Sequence, residues 1–201
     1  MQHNIVLLAA FLLLTTPAFA QNDTTYSTFL HPIPASYSVK QAFEIESLVP
    51  MFFTGGYHAA VGYRYRKFRF RISVINGGHY NAERAGINNS SPEFKRFYKT
   101  SPGFTLGYDL YKHLELFAFV ELHTFAIEQQ SSGIQKNIRS NDVGGGLSYQ
   151  FFIGKIFYVQ PGVHVYVRGA KSVDFGDTQY HISQTDISPV IRVGARLWRQ
   201  Y

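Results

Sequence analysis

The chain has 201 residues, with 19 Lys and Arg against 13 Asp and Glu, a formal net charge of +6 and no cysteine. The lack of cysteine excludes a disulfide framework and thiol chemistry, and the length suits one folded domain. Aromatic residues reach 16% and charged residues also 16%, the latter well below the globular average of about 25%.

The first stretch, IVLLAAFLLLTTPAFA from Ile5 to Ala20, holds an apolar run that ends at Leu14. That run is too short to cross a bilayer as a helix, and it closes in Ala18-Phe19-Ala20. The pattern predicts a signal peptide over 1–20, cut after Ala20, although Met1 to Asn4 supplies no Lys or Arg. Residues 21–40 are polar, carry Pro32 and Pro34, and show no period, so a flexible N-terminal segment is expected there. No later run approaches the roughly 20 apolar residues of a membrane helix. A crossing of a membrane by the rest of the chain must therefore use a closed barrel.

From Gln41 onward the dominant signal is period two. Strand one, 41–53, alternates Phe43 and Ile45 against Glu44 and Glu46, and Pro50 weakens its far end. The stretch YHAAVGYRYRKFRFRISVIN, Tyr57 to Asn76, reads as a hairpin about Arg66-Lys67. Its apolar face holds Tyr63, Tyr65, Phe68, Phe70 and Ile72, and its other face holds Arg64, Arg69 and Arg71. Residues 77–101 lose the period and read as a long loop with a basic-aromatic patch, Lys95 to Lys99. Strands four and five, 102–111 and 114–126, flank the tight turn Lys112-His113. Residues 127–142 read as a second long loop. Strands six and seven, 143–152 and 156–168, flank Gly154-Lys155, and 169–187 is a third long loop before strand eight, 188–201.

These eight strands each approach the ~9–11 residues of a tilted transmembrane strand. Short connections alternate with long ones, as in outer-membrane barrels. The polarity is the reverse of a soluble barrel: aromatic and aliphatic side chains share one face and Arg and Glu share the other. The fold class expected is all-β, an eight-stranded antiparallel up-and-down transmembrane barrel over 41–201. A soluble lipocalin-like barrel is the competing reading, and it requires an apolar cavity and a polar exterior.

On these residues the chain resembles the small eight-stranded outer-membrane β-barrel proteins of Gram-negative bacteria. The resemblance covers the chain after residue 20 and includes the last strand, where Gly194, Leu197 and the aromatic Tyr201 match the family's assembly signal. Arg199 departs from it by standing at a usually apolar position. The resemblance implies residence in the outer membrane, contact with lipid and lipopolysaccharide, delivery by the barrel assembly machinery, and a monomer. It implies aromatic girdles, with Tyr63, Tyr65, Phe68, Tyr108, Phe151 and Tyr201 at the periplasmic rim and Phe53, Tyr57 and Phe125 at the outer rim.

The inward set Glu44, Glu46, Asp109, Glu115 and Glu121 against Arg64, Arg69, Arg71, Arg192 and Arg196 predicts a salt-bridged lumen. Such charges must pair, and an eight-stranded barrel is just wide enough for side chains to fill. Glu44 and Glu46 are expected to pair with Arg64 first. Inward His58, His123 and His164 would suffice as zinc ligands if they converged, but lumen histidines bonded to tyrosine or carboxylate are the commoner case, so no metal or cofactor is expected. Arg84, Lys95, Arg96 and Lys99, with Lys136 and Arg139, are candidates for contact with lipopolysaccharide phosphate. Nucleic acid is disfavoured by compartment. No motif supplies a nucleophile with its base, so a non-enzymatic envelope or surface-contact role leads. A lipid acyl hydrolase or acyltransferase and a small-solute channel stand as alternatives.

Overall fold

The computed structural model describes residues 39–81, 93–176 and 178–200, with backbone only at 79–81. The expected signal peptide, nearly all of the 21–40 segment, Arg84 and Tyr201 lie outside the described residues. The elements are β1 (Gln41–Leu48), α1 (Val49–Phe53), β2 (Gly56–Tyr65), β3 (Phe68–Asn81), β4 (Phe94–Tyr111), β5 (Leu114–Gln129), β6 (Gln135–Tyr149), β7 (Phe151–Ile153), β8 (Phe157–Arg168), β9 (Ser172–Asp174), β10 (Gln179–His181) and β11 (Thr185–Gln200). Each strand from β1 to β6 pairs antiparallel with the next, β6 and its continuation β7 pair with β8, and β8 with β11. Pairing of β11 with β1 closes the ring into an eight-stranded antiparallel barrel. Closure leaves no open edge in the wall.

At one end, the turn end, the connections are tight. Arg66 at φ 54° and the pair Lys112 and His113 at 39° and 75° adopt the left-handed backbone that a two-residue hairpin requires. At the other end, the loop end, the structure departs from the expected loops. β3 and β4 run on to Asn81 and back from Phe94, and β5 and β6 meet at a short connection after Gln129. The stretch 127–142, expected as a loop, is mostly strand. Conversely, strand one stops at Leu48, where Val49–Phe53 winds into one helical turn with Pro at its start. Pro lacks the N–H a ladder needs and suits the first turn of a helix.

Side chains alternate through most of the wall, with a bulge at Leu197 on β11. Ile72 and Val61 are outward and about 60% exposed, while the neighbouring Arg69 and Glu44 are fully buried. On β5 the outward apolar positions run from Leu114 through Leu116, Ala118 and Val120 to Leu122. Eight residue steps at about 3.4 Å give ~27 Å along the strand, or roughly 20 Å in height at a ~40° tilt, near the ~25 Å apolar band of a membrane barrel.

Above Leu122 and its partner Asn141 the polarity flips. Thr124, Asn137 and Arg139 now face out, while Phe125, Ile127 and Ile138 face in and are buried. These three pack with Phe94, Phe175, Tyr180 and Ile182 into a small apolar core. The last three of these belong to the β9–β10 hairpin and the chain beside it, within the expected third loop. Phe125 is therefore a core residue of this cap and does not belong to an outer girdle. The alternation was lost in the sequence reading because it continued with its faces exchanged.

Candidate functional site

Within the wall the interior is packed with charge in successive tiers. Near the turn end, Arg64 pairs with Asp109, donates to Gln150 Oε1 at 2.9 Å and lies 3.5 Å from Glu44. Arg196 donates to the same Glu44 at 2.8 Å and stacks on Phe152 at 4.2 Å. Next, Arg69 reaches Glu44, Glu46 at 2.6 Å and Glu115 at 2.9 Å, and donates to Gln160 at 2.8 Å and Tyr158 at 2.6 Å. Arg71 contacts Glu115 and lies 3.5 Å from Glu46. Glu46 thus pairs with Arg69 and Arg71. The expected partner Arg64 is opposite Ala42, while Glu46 is opposite Ala60. Removing so many charges from water costs several kcal/mol per ion unless partners surround each one, and here Glu44, Glu46 and Glu115 each touch at least two guanidinium groups.

One glycine position shows how tightly this network is fitted. A Cβ at Gly107 would run into the carboxylate of Glu115 on the neighbouring strand. The wall backbone must stay bare there for the ion pairs to close.

Farther up, Arg192 donates to His164 Nε2 at 2.6 Å. That nitrogen must accept, which leaves the Nδ1 hydrogen to bond Tyr166 Oη at 2.9 Å. The top tier centres on Asp142, which is also buried. It takes His123 Nδ1 at 2.9 Å and Arg168 Nε at 2.9 Å, and accepts from Ser140. Glu121 lies 3.0 Å from the other His123 nitrogen. Arg168 also reaches the Ser183 carbonyl at 3.2 Å, tying the wall to the chain beneath the cap. Asp142 and Arg168 were not among the expected site residues. Asp142 closes the stretch expected as the second loop, although it shares the inward parity of Gly144, Gly146 and Ser148.

His58 and His123 line one cavity of about 20 Å³ with Glu121, Ser101, Tyr98 and Tyr166, room for a single water. His164 is engaged with Arg192 instead. Among the described residues, no group of three or more His, Asp or Glu side chains is placed to hold a metal ion. The Asp142–His123 pair has the form of two thirds of a hydrolytic triad. Of the serines beside it, Ser140 donates to Asp142 and Ser101 donates to the Lys99 carbonyl at 2.7 Å, while Ser73 lines the same cavity as His123.

The loop-end cations divide. Lys99 is exposed and Lys95 half-buried, whereas Arg96 is buried, with its guanidinium 5.0 Å from the Phe125 ring. Arg96 belongs to the cap interior, away from the surface that Lys95 and Lys99 reach. Gly194 sits where a Cβ would strike the Tyr158 ring, and Leu197 is exposed on the exterior. No protein-family model matches the sequence, and no curated protein matches it.

Proposed function

We propose that the chain is a non-enzymatic outer-membrane β-barrel protein of a Gram-negative bacterium, with a sealed, salt-bridged lumen and a surface role carried by its loop end. One observation supports this above the others: the exchange of faces at Leu122 and Asn141. Below it, apolar side chains cover the exterior and charges fill the interior; above it, Thr124, Asn137 and Arg139 face out and the apolar cluster of Phe125, Ile127 and Ile138 faces in. A wall in water throughout has no reason to invert. A wall that leaves hydrocarbon at that height must do so.

The filled interior speaks against a channel, and the donation of Ser140 to Asp142 speaks against that serine as a nucleophile activated by His123. Lys95 and Lys99, together with Arg84, remain the candidate contacts to lipopolysaccharide phosphate. The barrel assembly machinery is the expected route of insertion, and a monomer the expected state. The test is purification from membranes in mild detergent. Mobility on a gel that changes with boiling, recovery in the outer-membrane fraction and no conductance steps in planar bilayers are expected. Recovery in a soluble fraction rejects the proposal.

A further inference from the structure

The charged side chains fall into three groups by height. Inside the barrel, six cations (Arg168 with the five lumen arginines named above) face six acids (Asp142 with the five lumen carboxylates). At the loop end, Lys95, Lys99, Lys136, Arg139 and Lys171 are interspersed with Glu93, Glu128, Asp174 and Asp186. At the turn end, Lys40, Arg66, Lys67, Lys112, Lys155 and Arg199 stand with no acid on the exposed rim among the described residues.

They are distributed all the way round. Arg66 and Lys67 occupy the β2–β3 turn, Lys112 the β4–β5 turn and Lys155 the β7–β8 turn. Lys40 and Arg199 flank the closing pair β1 and β11. Five are exposed. Three stand over exterior rings: Arg66 over Tyr65 at 5.5 Å, Lys67 over Tyr108 at 5.8 Å and Lys112 over Tyr111 at 5.1 Å. The tyrosine belongs at the edge of hydrocarbon and the cation just beyond it, where phosphate groups lie.

We propose that this rim is a cationic collar that binds the headgroups of anionic phospholipids in the leaflet around the turn end. The inference rests on the membrane reading above. Its geometry selects the partner: a compact acidic protein engages one side of a ring, whereas a lipid leaflet meets every turn at once. Basic residues beside an anionic surface attract it individually and are screened by salt.

The chain carries its own reporter. Its single tryptophan, Trp198, is exposed at this rim, 5.9 Å from the Phe43 ring. The full chain is inserted into phosphatidylcholine vesicles containing a brominated lipid, either phosphatidylglycerol or phosphatidylcholine, and quenching of Trp198 is measured. Boiling-dependent mobility verifies insertion of every sample. The glycerol lipid should quench at about two- to fivefold lower mole fraction, and the difference should vanish in R66Q/K67Q/K112Q/K155Q and at ~1 M salt. Coincident quenching curves in an inserted sample, or a preference that survives the four substitutions, overturn the collar while leaving the barrel intact. Displacement of the glycerol lipid by soluble polyglutamate overturns it in favour of an acidic macromolecule. A chain that never inserts overturns the membrane reading itself.

Discussion

Arg69 on β3 and Glu115 on β5 meet across the barrel interior at 2.9 Å, and neither is exposed to solvent. The same guanidinium also serves Glu44 and Glu46. Removing it takes one guanidinium partner from each of three buried carboxylates. Arg69→Met should therefore cost about 3–5 kcal/mol of stability, read from urea unfolding in detergent micelles or vesicles. Arg66→Met, at an exposed turn, should stay within about 0.5 kcal/mol. Equal effects of the two substitutions would mean that the interior pairs do not hold the wall together.

Gly194 admits two explanations that can be separated. As part of an assembly signal it would matter only when the assembly machinery is present. In the structure it lies under the Tyr158 ring, and its missing Cβ would also approach the Ile45 carbonyl at 2.7 Å. Overpacking of this kind costs about 1–3 kcal/mol. Gly194→Ala should lower the folded yield even when the chain refolds alone into detergent, and Leu197→Ala, on the open exterior, should not. Refolding of Gly194→Ala at the parental yield would leave recognition as the reason for the glycine.

What could be seen in the sequence, and what could not, follows from range. The alternation of Phe68, Phe70 and Ile72 with Arg69 and Arg71 is local, and it carries the strand, the faces and the charged interior without any knowledge of neighbours. The partner of Glu46 is not local. It depends on the register of β1 and β2 and on how far an arginine on β3 reaches. The cap stayed hidden for another reason. Phe125, Ile127 and Ile138 keep the two-residue period, but above Leu122 the apolar face is the inner one. Nothing in the sequence beside Arg96 shows the Phe125 ring next to it.

His113 sits in the β4–β5 turn, outside the strands of the wall, with its ring 5.1 Å from Phe152. Burial, aided by the positive charge of Arg196 and Arg64, lowers its pKa from 6.5 to about 4. The unfolded chain then binds a proton between those values that the folded chain refuses. Stability is unaffected above pH 6.5 and falls as pH drops from 6.5 toward 4. His113→Gln should flatten the stability profile in that window and leave it unchanged at pH 8. Parallel profiles for the parent and the variant between pH 4 and 6.5 would contradict this.

The cap should be separable from the barrel. Phe175 packs on Phe94 at 5.1 Å within the apolar core above the wall, and it joins the β9–β10 hairpin to the extensions of β4 and β5. Polar ties include Lys136 to the Asp174 carbonyl at 2.7 Å, Lys171 to the Arg139 carbonyl at 2.6 Å and Gln129 to Thr178 at 2.9 Å. A buried phenylalanine truncated to alanine loses about 3–5 kcal/mol, at least as much as three such hydrogen bonds at about 1 kcal/mol each contribute. Phe175→Ala should therefore release the hairpin. The barrel below has its own closed ladder and its own ion pairs, and none of the latter involves Phe175. Limited proteolysis should cut the variant between Gly169 and Gln184 much faster than the parent, while the boiling-dependent gel shift stays the same. Loss of that shift in Phe175→Ala would mean that cap and barrel fold as one unit.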